Sequence, residues 1–165
     1  MIGNDIVDLD LARKESNWQR KGFLDKIFTN KEQLLILDAK NPEVMVWNLW
    51  SRKEAAYKIY NRQTGIRGYF PLKLECSDLK ISNQIIFGKV MIKEHEYFTK
   101  TEIEKSYIHT ISVENLADFD KIQQLKNTDN IVKYKGIPSF LNENNLLLSP
   151  VSISHHGRFK QIICF

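Results

Sequence analysis

A chain of 165 residues, 42% hydrophobic and holding nine Phe, six Tyr and three Trp, has the apolar surface to close one core; this excludes global disorder and predicts that residues 1–165 form a single domain. Lys and Arg outnumber Asp and Glu by 24 to 20, a net +4 that favours an acidic or phosphorylated partner but falls short of a basic nucleic-acid tail. No apolar run reaches the roughly 18 residues of a membrane helix, Cys76 and Cys164 have no metal-ligand spacing, and the first residues carry neither a charged nor an apolar leader segment, so a cytoplasmic protein away from membranes is expected.

In chain order, Ile2 to Leu9 reads as a short strand with Ile6 and Val7 between acids, and Asp10 is placed to cap a helix beginning at Leu11. Phe23, Leu24, Ile27 and Phe28 recur at helical spacing. Thr29 with Glu32 forms a capping box for a helix through Leu34, Leu35 and Leu37 to about Lys40. Asn41 caps the next start, with Pro42 at the first helical position and Glu43 at the positive helix end. From Pro42 the pattern runs unbroken to Arg62, with Val46, Leu49, Trp50, Ala56, Ile59 and Tyr60 as its apolar stripe and Gly65 as its stop. Glu54 and Lys58 lie outside that stripe and are free to face a cleft, whereas Trp47, Trp50 and Tyr57 are expected in the core.

After Gly68 the periodicity becomes alternating. Strands are expected at Pro71 to Cys76, Ile85 to Ile92, Tyr107 to Val113, Val151 to His155 and Phe159 to Phe165, with turns at Asn83-Gln84 and His156-Gly157. Ala117 to Leu125 reads as a further helix, and Lys126 to Asn130 and Asn142 to Asn145 as loops. Helices first and strands after predict an α+β fold, an antiparallel sheet packed against a long helix. Neither common phosphate-binding glycine loop is present.

Asp5 and Glu54 can each lend an oxygen to a magnesium ion, which takes one or two carboxylates together with substrate phosphates and water. On residue chemistry alone, the commoner outcome is a solvated strand-end Asp and a helix-surface Glu bonded to Lys58 or Arg62. Lys58, four residues after Glu54, shares its helix face and can neutralise a diphosphate, although most such lysines are only solvated. His155 and His156 are adjacent on a strand end, which sends them to opposite faces; His155 is the candidate for the cleft, although it shares parity with Val151 and Ile153. Arg13, Lys14, Arg20 and Lys21, gathered around Trp18, suit either a docking patch for an acidic protein or a solvated face.

Jointly these segments resemble the phosphopantetheinyl transferase superfamily. Its helix signature stands complete as Trp50, Lys53, Glu54, Ala55 and Lys58, and its strand signature appears about fifty residues earlier as Gly3-Asn4-Asp5-Ile6, with Asn4 in an aliphatic place. A third segment, Ser152-Ile153-Ser154-His155, follows near the carboxyl end, the order of the small holo-acyl-carrier-protein synthases; Val7 and Asp8 also fit that type. The resemblance is clear over Met1 to Lys14 and Val46 to Arg62, and absent between Leu72 and Ser149.

Such an enzyme transfers the 4'-phosphopantetheine arm of coenzyme A to a serine of an apo acyl carrier protein and releases adenosine 3',5'-bisphosphate. The resemblance implies that Asp5 and Glu54 hold magnesium, that Lys58 offsets diphosphate charge, and that His155 touches the phosphate or adenosine side. It further implies that Glu54 or a metal-bound water accepts the serine proton, that Arg13 docks the carrier with Lys14 extending the patch, and that chains assemble as trimers. Whether the carrier serves fatty-acid, polyketide or peptide synthesis is left open. Two alternatives stand beside this reading: a non-catalytic relative, for which Asn4 speaks, and a metal-dependent nucleic-acid-binding protein.

Overall fold

The computed structural model describes residues 1–134, 136–142 and 147–165. The first third is helical. Strand β1 (Ile2–Asp8) runs directly into helix α1 (Leu9–Glu15), followed by α2 (Phe23–Ile27), α3 (Asn30–Leu37) and the long α4 (Pro42–Thr64). Strands β2 (Glu75–Ser82), β3 (Ile85–Ile92), β4 (His95–Ile103) and β5 (Tyr107–Val113) follow, then β6 (Gln123–Gln124), β7 (Ile131–Tyr134), β8 (Ile137–Asn142), β9 (Leu147–His156) and β10 (Phe159–Cys164). The expected α+β class is what the structure shows, with every paired strand antiparallel to its neighbour.

Two five-stranded sheets carry the fold, ordered β1-β5-β4-β3-β2 and β6-β10-β9-β8-β7. Alternation along β1 decides what each of its faces meets. Gly3, Asp5 and Val7 face α4, whereas Ile2 packs with Val113 and Ile163 between the sheets. Gly3 permits the close crossing, because a β-carbon there would lie 2.0 Å from the Ala55 carbonyl oxygen. Val46, Leu49, Ala56, Ile59 and Tyr60 of α4 are buried against Val90, Ile92, Tyr97 and Ile108 of the sheet. At about 1.5–3 kcal/mol for each large apolar side chain removed from water, that face anchors the helix.

The edge of β1 left unpaired by β5 is covered by β9, which runs beside it in the same direction. The Asn4 amide donates to Ser152 Oγ at 2.8 Å and the Asp8 amide to His156 Nδ1 at 2.9 Å, four residues farther along both strands. Lys58 reaches the same seam, donating to the Asn4 carbonyl at 2.6 Å and the Ile153 carbonyl at 3.3 Å. This ties α4, β1 and β9 together at one point.

Several expected elements are corrected. The α1 cap is Asp8 and not Asp10: Asp8 Oδ1 accepts from the Asp10 and Leu11 amides at 3.1 and 3.3 Å. Helix α3 stops at Leu37 with Asp38 as its cap, short of Lys40. Pro71–Lys73 forms a 3-10 turn because proline has no amide for a ladder, and β2 starts at Glu75 and extends to Ser82. Leu116–Lys121 is a 3-10 turn leading into β6, where an α-helix was expected. Strands β4, β7 and β8 were missed. Of the loop expected at 142–145, Asn142 ends β8 and 143–145 lie outside the described residues.

Candidate active site

Strand β1 and helix α4 bring Asp5 and Glu54 to one cavity of about 280 Å³, walled by Trp47 and Trp50 and bordered by Ala12 of α1 and its C-cap Ser16. The expected meeting of the early carboxylate with the mid-helix one is therefore what the structure shows. Of the aromatic residues expected in the core, Trp47 is buried, but Trp50 and Tyr57 are only half-buried. Both pack edge-on against Tyr69, with centroids 5.5 and 5.3 Å away. Trp50 lines the cavity because the helix surface next to Glu54 faces outward there.

The electrostatics of the pair are unusual for surface acids. Burial pushes Asp5 up to about 7, opposed by the Lys58 ammonium and reinforced by the Glu54 carboxylate. Burial likewise raises Glu54, against the pull of Lys58 and of the adjacent Tyr69 hydroxyl. Burial lowers Lys58, while Asp5 and Glu54 hold it up. Lys58 Nζ stands 3.8 Å from Asp5 Oδ1, and two carbonyls already occupy its donors.

One ammonium thus faces two carboxylates in a confined space, and the excess negative charge suits a small hard cation. No group of three or more potential ligands exists among the described residues, but a magnesium ion that keeps water and substrate phosphates needs only one or two carboxylates. The donor set fits.

Both histidines line the cavity, contrary to the expectation that only one could enter. His155 and His156 end β9, and the cavity borders that strand end. His155 sits on the exposed rim; His156 is half-buried and held through Nδ1 by the Asp8 amide. Arg13 is exposed on α1, with Nε 2.9 Å from Glu43 and Nη1 3.2 Å from Asp10, and Lys14 beside it is exposed. Arg20 stacks its guanidinium 5.5 Å above the Phe23 ring. Asn4, the departure from the strand signature, points away from the cavity, its Nδ2 3.3 Å from His109 Nε2.

Lys53 of the helix signature and its neighbour Arg52 have roles with no local signal in the sequence. Lys53 is fully buried, its ammonium donating to Glu32 at 2.6 Å, the Ile27 carbonyl at 2.8 Å and the Pro71 carbonyl at 2.9 Å. Glu32 completes the Thr29 capping box and also accepts the Cys76 amide at 2.8 Å. Arg52 is equally buried with neutral partners, Asn48 at 2.9 Å, the Ile86 carbonyl at 2.7 Å and the Thr99 hydroxyl. Burial lowers its guanidinium to about 10, so it stays charged at neutral pH. The capping box was legible in the sequence, but nothing local signals that its carboxylate also meets a lysine 21 residues later.

Comparison with known proteins agrees with this geometry. The family model for the 4'-phosphopantetheinyl transferase superfamily matches residues 1–112. A holo-[acyl-carrier-protein] synthase of Caldanaerobacter subterraneus is 35% identical over 68 residues, covering 41% of this chain and 51% of that protein. That of Campylobacter jejuni strain 81-176 is 42% identical over 57 residues, covering 34% and 46%. The chain thus spans about half the length of the curated relatives it matches. Among solved structures, the Helicobacter pylori holo-[acyl-carrier-protein] synthase in complex with coenzyme A superposes with a TM-score of 0.53 at 18% identity, over 70% of this chain and all of that one. The Neisseria meningitidis synthase gives 0.51 at 20% identity, over 69% and 96%. With the fold shared and a family match running from β1 through β5, the chain belongs to the 4'-phosphopantetheinyl transferase superfamily.

Proposed function

We propose that this protein, acting as one domain over residues 1–165, transfers the 4'-phosphopantetheine arm of coenzyme A to a serine of an apo acyl carrier protein and releases adenosine 3',5'-bisphosphate. The observation that carries this reading is the convergence of Asp5 and Glu54 on one cavity, with Lys58 Nζ 3.8 Å from Asp5 Oδ1. Asp5 and Glu54 are the residues that would hold magnesium. The ion supplies charge that polarises the phosphate under attack and offsets the oxygen that departs.

The serine oxygen bonds to the phosphorus next to the arm as the phosphate–oxygen bond to the nucleotide breaks. Glu54, whose proton affinity burial raises, accepts the serine proton on a carboxylate oxygen. Lys58 neutralises charge on the diphosphate, and the fixed carbonyls beneath it hold the ammonium in place without a rotamer search. His155, which lines the cavity, would meet the phosphate or adenosine end. Arg13 and Lys14, exposed on the helix that borders the cavity, offer positive charge to an acidic carrier. Trimeric assembly, as in the small type, accords with the apolar Ile81 left exposed on β2, the edge strand of the first sheet.

The test is the intact mass of an apo acyl carrier protein after incubation with this protein, coenzyme A and magnesium. A gain of one phosphopantetheine is expected, together with its loss in Asp5→Ala and Glu54→Ala. An unchanged carrier at high enzyme concentration would instead favour a non-catalytic relative.

A further inference from the structure

Beyond the metal end, the cavity continues along β1 past Val7 toward α1, between Trp47 and the two histidines. Ile6, Val7, Ala12 and Trp47 supply its apolar walls there; of the polar groups beside them, Ser16, His155 and His156, the imidazole of His156 is fixed by a backbone hydrogen bond. The Asp8 amide donates to Nδ1, which must therefore be unprotonated, so the ring carries its hydrogen on Nε2. No group among the described residues accepts from that Nε2.

The ring is held by a clasp built from Asp8. While the Asp8 amide fixes Nδ1, Asp8 Oδ2 accepts the Arg158 amide at 3.3 Å and lies 3.2 Å from the Arg158 Nε. The same carboxylate caps α1 through its other oxygen. Gly157 between them is required: its φ is +55°, and a β-carbon would lie 2.6 Å from Asp8 Oδ2. Strand, helix cap and hairpin turn therefore converge on Asp8: its carboxylate fixes the turn and the cap, and its backbone amide holds the imidazole through Nδ1.

The geometry points to His156 as a specificity-determining residue that donates its Nε2–H to an amide carbonyl of the pantetheine arm as the arm lies along the Trp47 wall. An aromatic wall with one oriented neutral donor suits an aliphatic chain interrupted by amides better than it suits a phosphate, for which cationic or clustered donors are the usual partners. The proposal rests on the transferase reading and deepens it, since it assigns the cavity end opposite the carboxylates to the group that is moved.

The test compares calorimetric binding, with magnesium, of coenzyme A and of adenosine 3'-phosphate 5'-diphosphate, the same nucleotide without its arm. In His156→Asn the amide oxygen can replace Nδ1 as acceptor for Asp8 while the Nε2 donor is lost. This variant is expected to melt with the wild type, to bind coenzyme A about 3- to 10-fold more weakly, and to bind the armless nucleotide unchanged. His156→Gln, with an amide N–H near the Nε2 position, should recover part of the loss. In the wild type, ¹⁵N-histidine spectra should show the His156 Nε2–H shifting downfield with coenzyme A but not with the armless ligand, a readout that needs no variant to fold.

Equal binding of coenzyme A by wild type and His156→Asn would overturn the proposal, as would an equal loss for both ligands or an Nε2–H signal indifferent to the arm. If the wild-type protein binds neither ligand, the transferase reading fails and takes this assignment with it; failure of the arm-dependent difference alone removes only the role of His156.

Discussion

Asp5 shows what a single residue's surroundings add to its identity. Its position was readable from Gly3-Asn4-Asp5-Ile6, but its raised proton affinity was not, since that depends on a helix fifty residues away descending onto Gly3. Because its folded value of about 7 exceeds the ordinary 3.8, the folded state holds the proton more tightly than the unfolded chain. Its contribution is favourable below pH 4 and is lost as pH rises through about 7. Asp5→Asn should therefore melt at a higher temperature than wild type at pH 8, with the gain vanishing toward pH 4, while transfer falls at least about 100-fold. Scanning calorimetry across pH checks the first part; a variant less stable than wild type at pH 8 would show that Asp5 is held by its pairing with Lys58 and not strained by burial. His156 was open to the same kind of oversight. Strand parity made one histidine seem sufficient, and only the position of the cavity at the strand end shows that both border it.

At the level of elements, α4 was the most legible part of the chain. Its Asn41-Pro42 start and Gly65 stop stand as expected, as does its apolar stripe apart from the half-buried Trp50. What the stripe concealed is that Arg52 and Lys53, polar by type, are among its most buried residues. Lys53→Met leaves the Glu32 carboxylate buried beside two amides but without its cation, and should cost about 3–5 kcal/mol in urea denaturation. Pairing it with Glu32→Gln should restore a large part of that loss; simple additivity would mean that the two groups do not act as a pair. Gly3→Ala tests the crossing of helix and strand, since its methyl group would meet the Ala55 carbonyl, and a cost of about 1–3 kcal/mol with weakened transfer is expected. Strand β4 was illegible for a related reason. Its inward residues include Thr99 and Thr101, which serve Arg52 and Thr110 with hydroxyls, so the hydrophobic alternation that marks a strand is muted. Register and sheet order, set by contacts between distant strands, had no local signal at all.

Across the whole molecule, two buried groups give opposing pH dependences. His109, between the sheets, is lowered to about 4 by burial and then by Lys58, so it contributes stability above pH 6.5 that disappears as pH falls through 4. Asp5 gains stability over nearly the same interval as pH falls from 7 toward 4. The wild type should accordingly show a shallow acid limb, Asp5→Asn a steeper one, and His109→Gln the shallowest; equal slopes for all three would place the acid sensitivity elsewhere. In solution, light scattering is expected to give about three times the 19.4 kDa chain mass, whereas a monomer would contradict trimeric assembly.

The central claim is that two carboxylates distant in sequence jointly bind one divalent ion. Manganese in place of magnesium allows the binding to be read directly by electron paramagnetic resonance in the presence of coenzyme A. The wild type should bind one ion per chain, and Asp5→Ala and Glu54→Ala should each weaken that binding at least about tenfold. Retention of wild-type affinity by both variants would contradict the account.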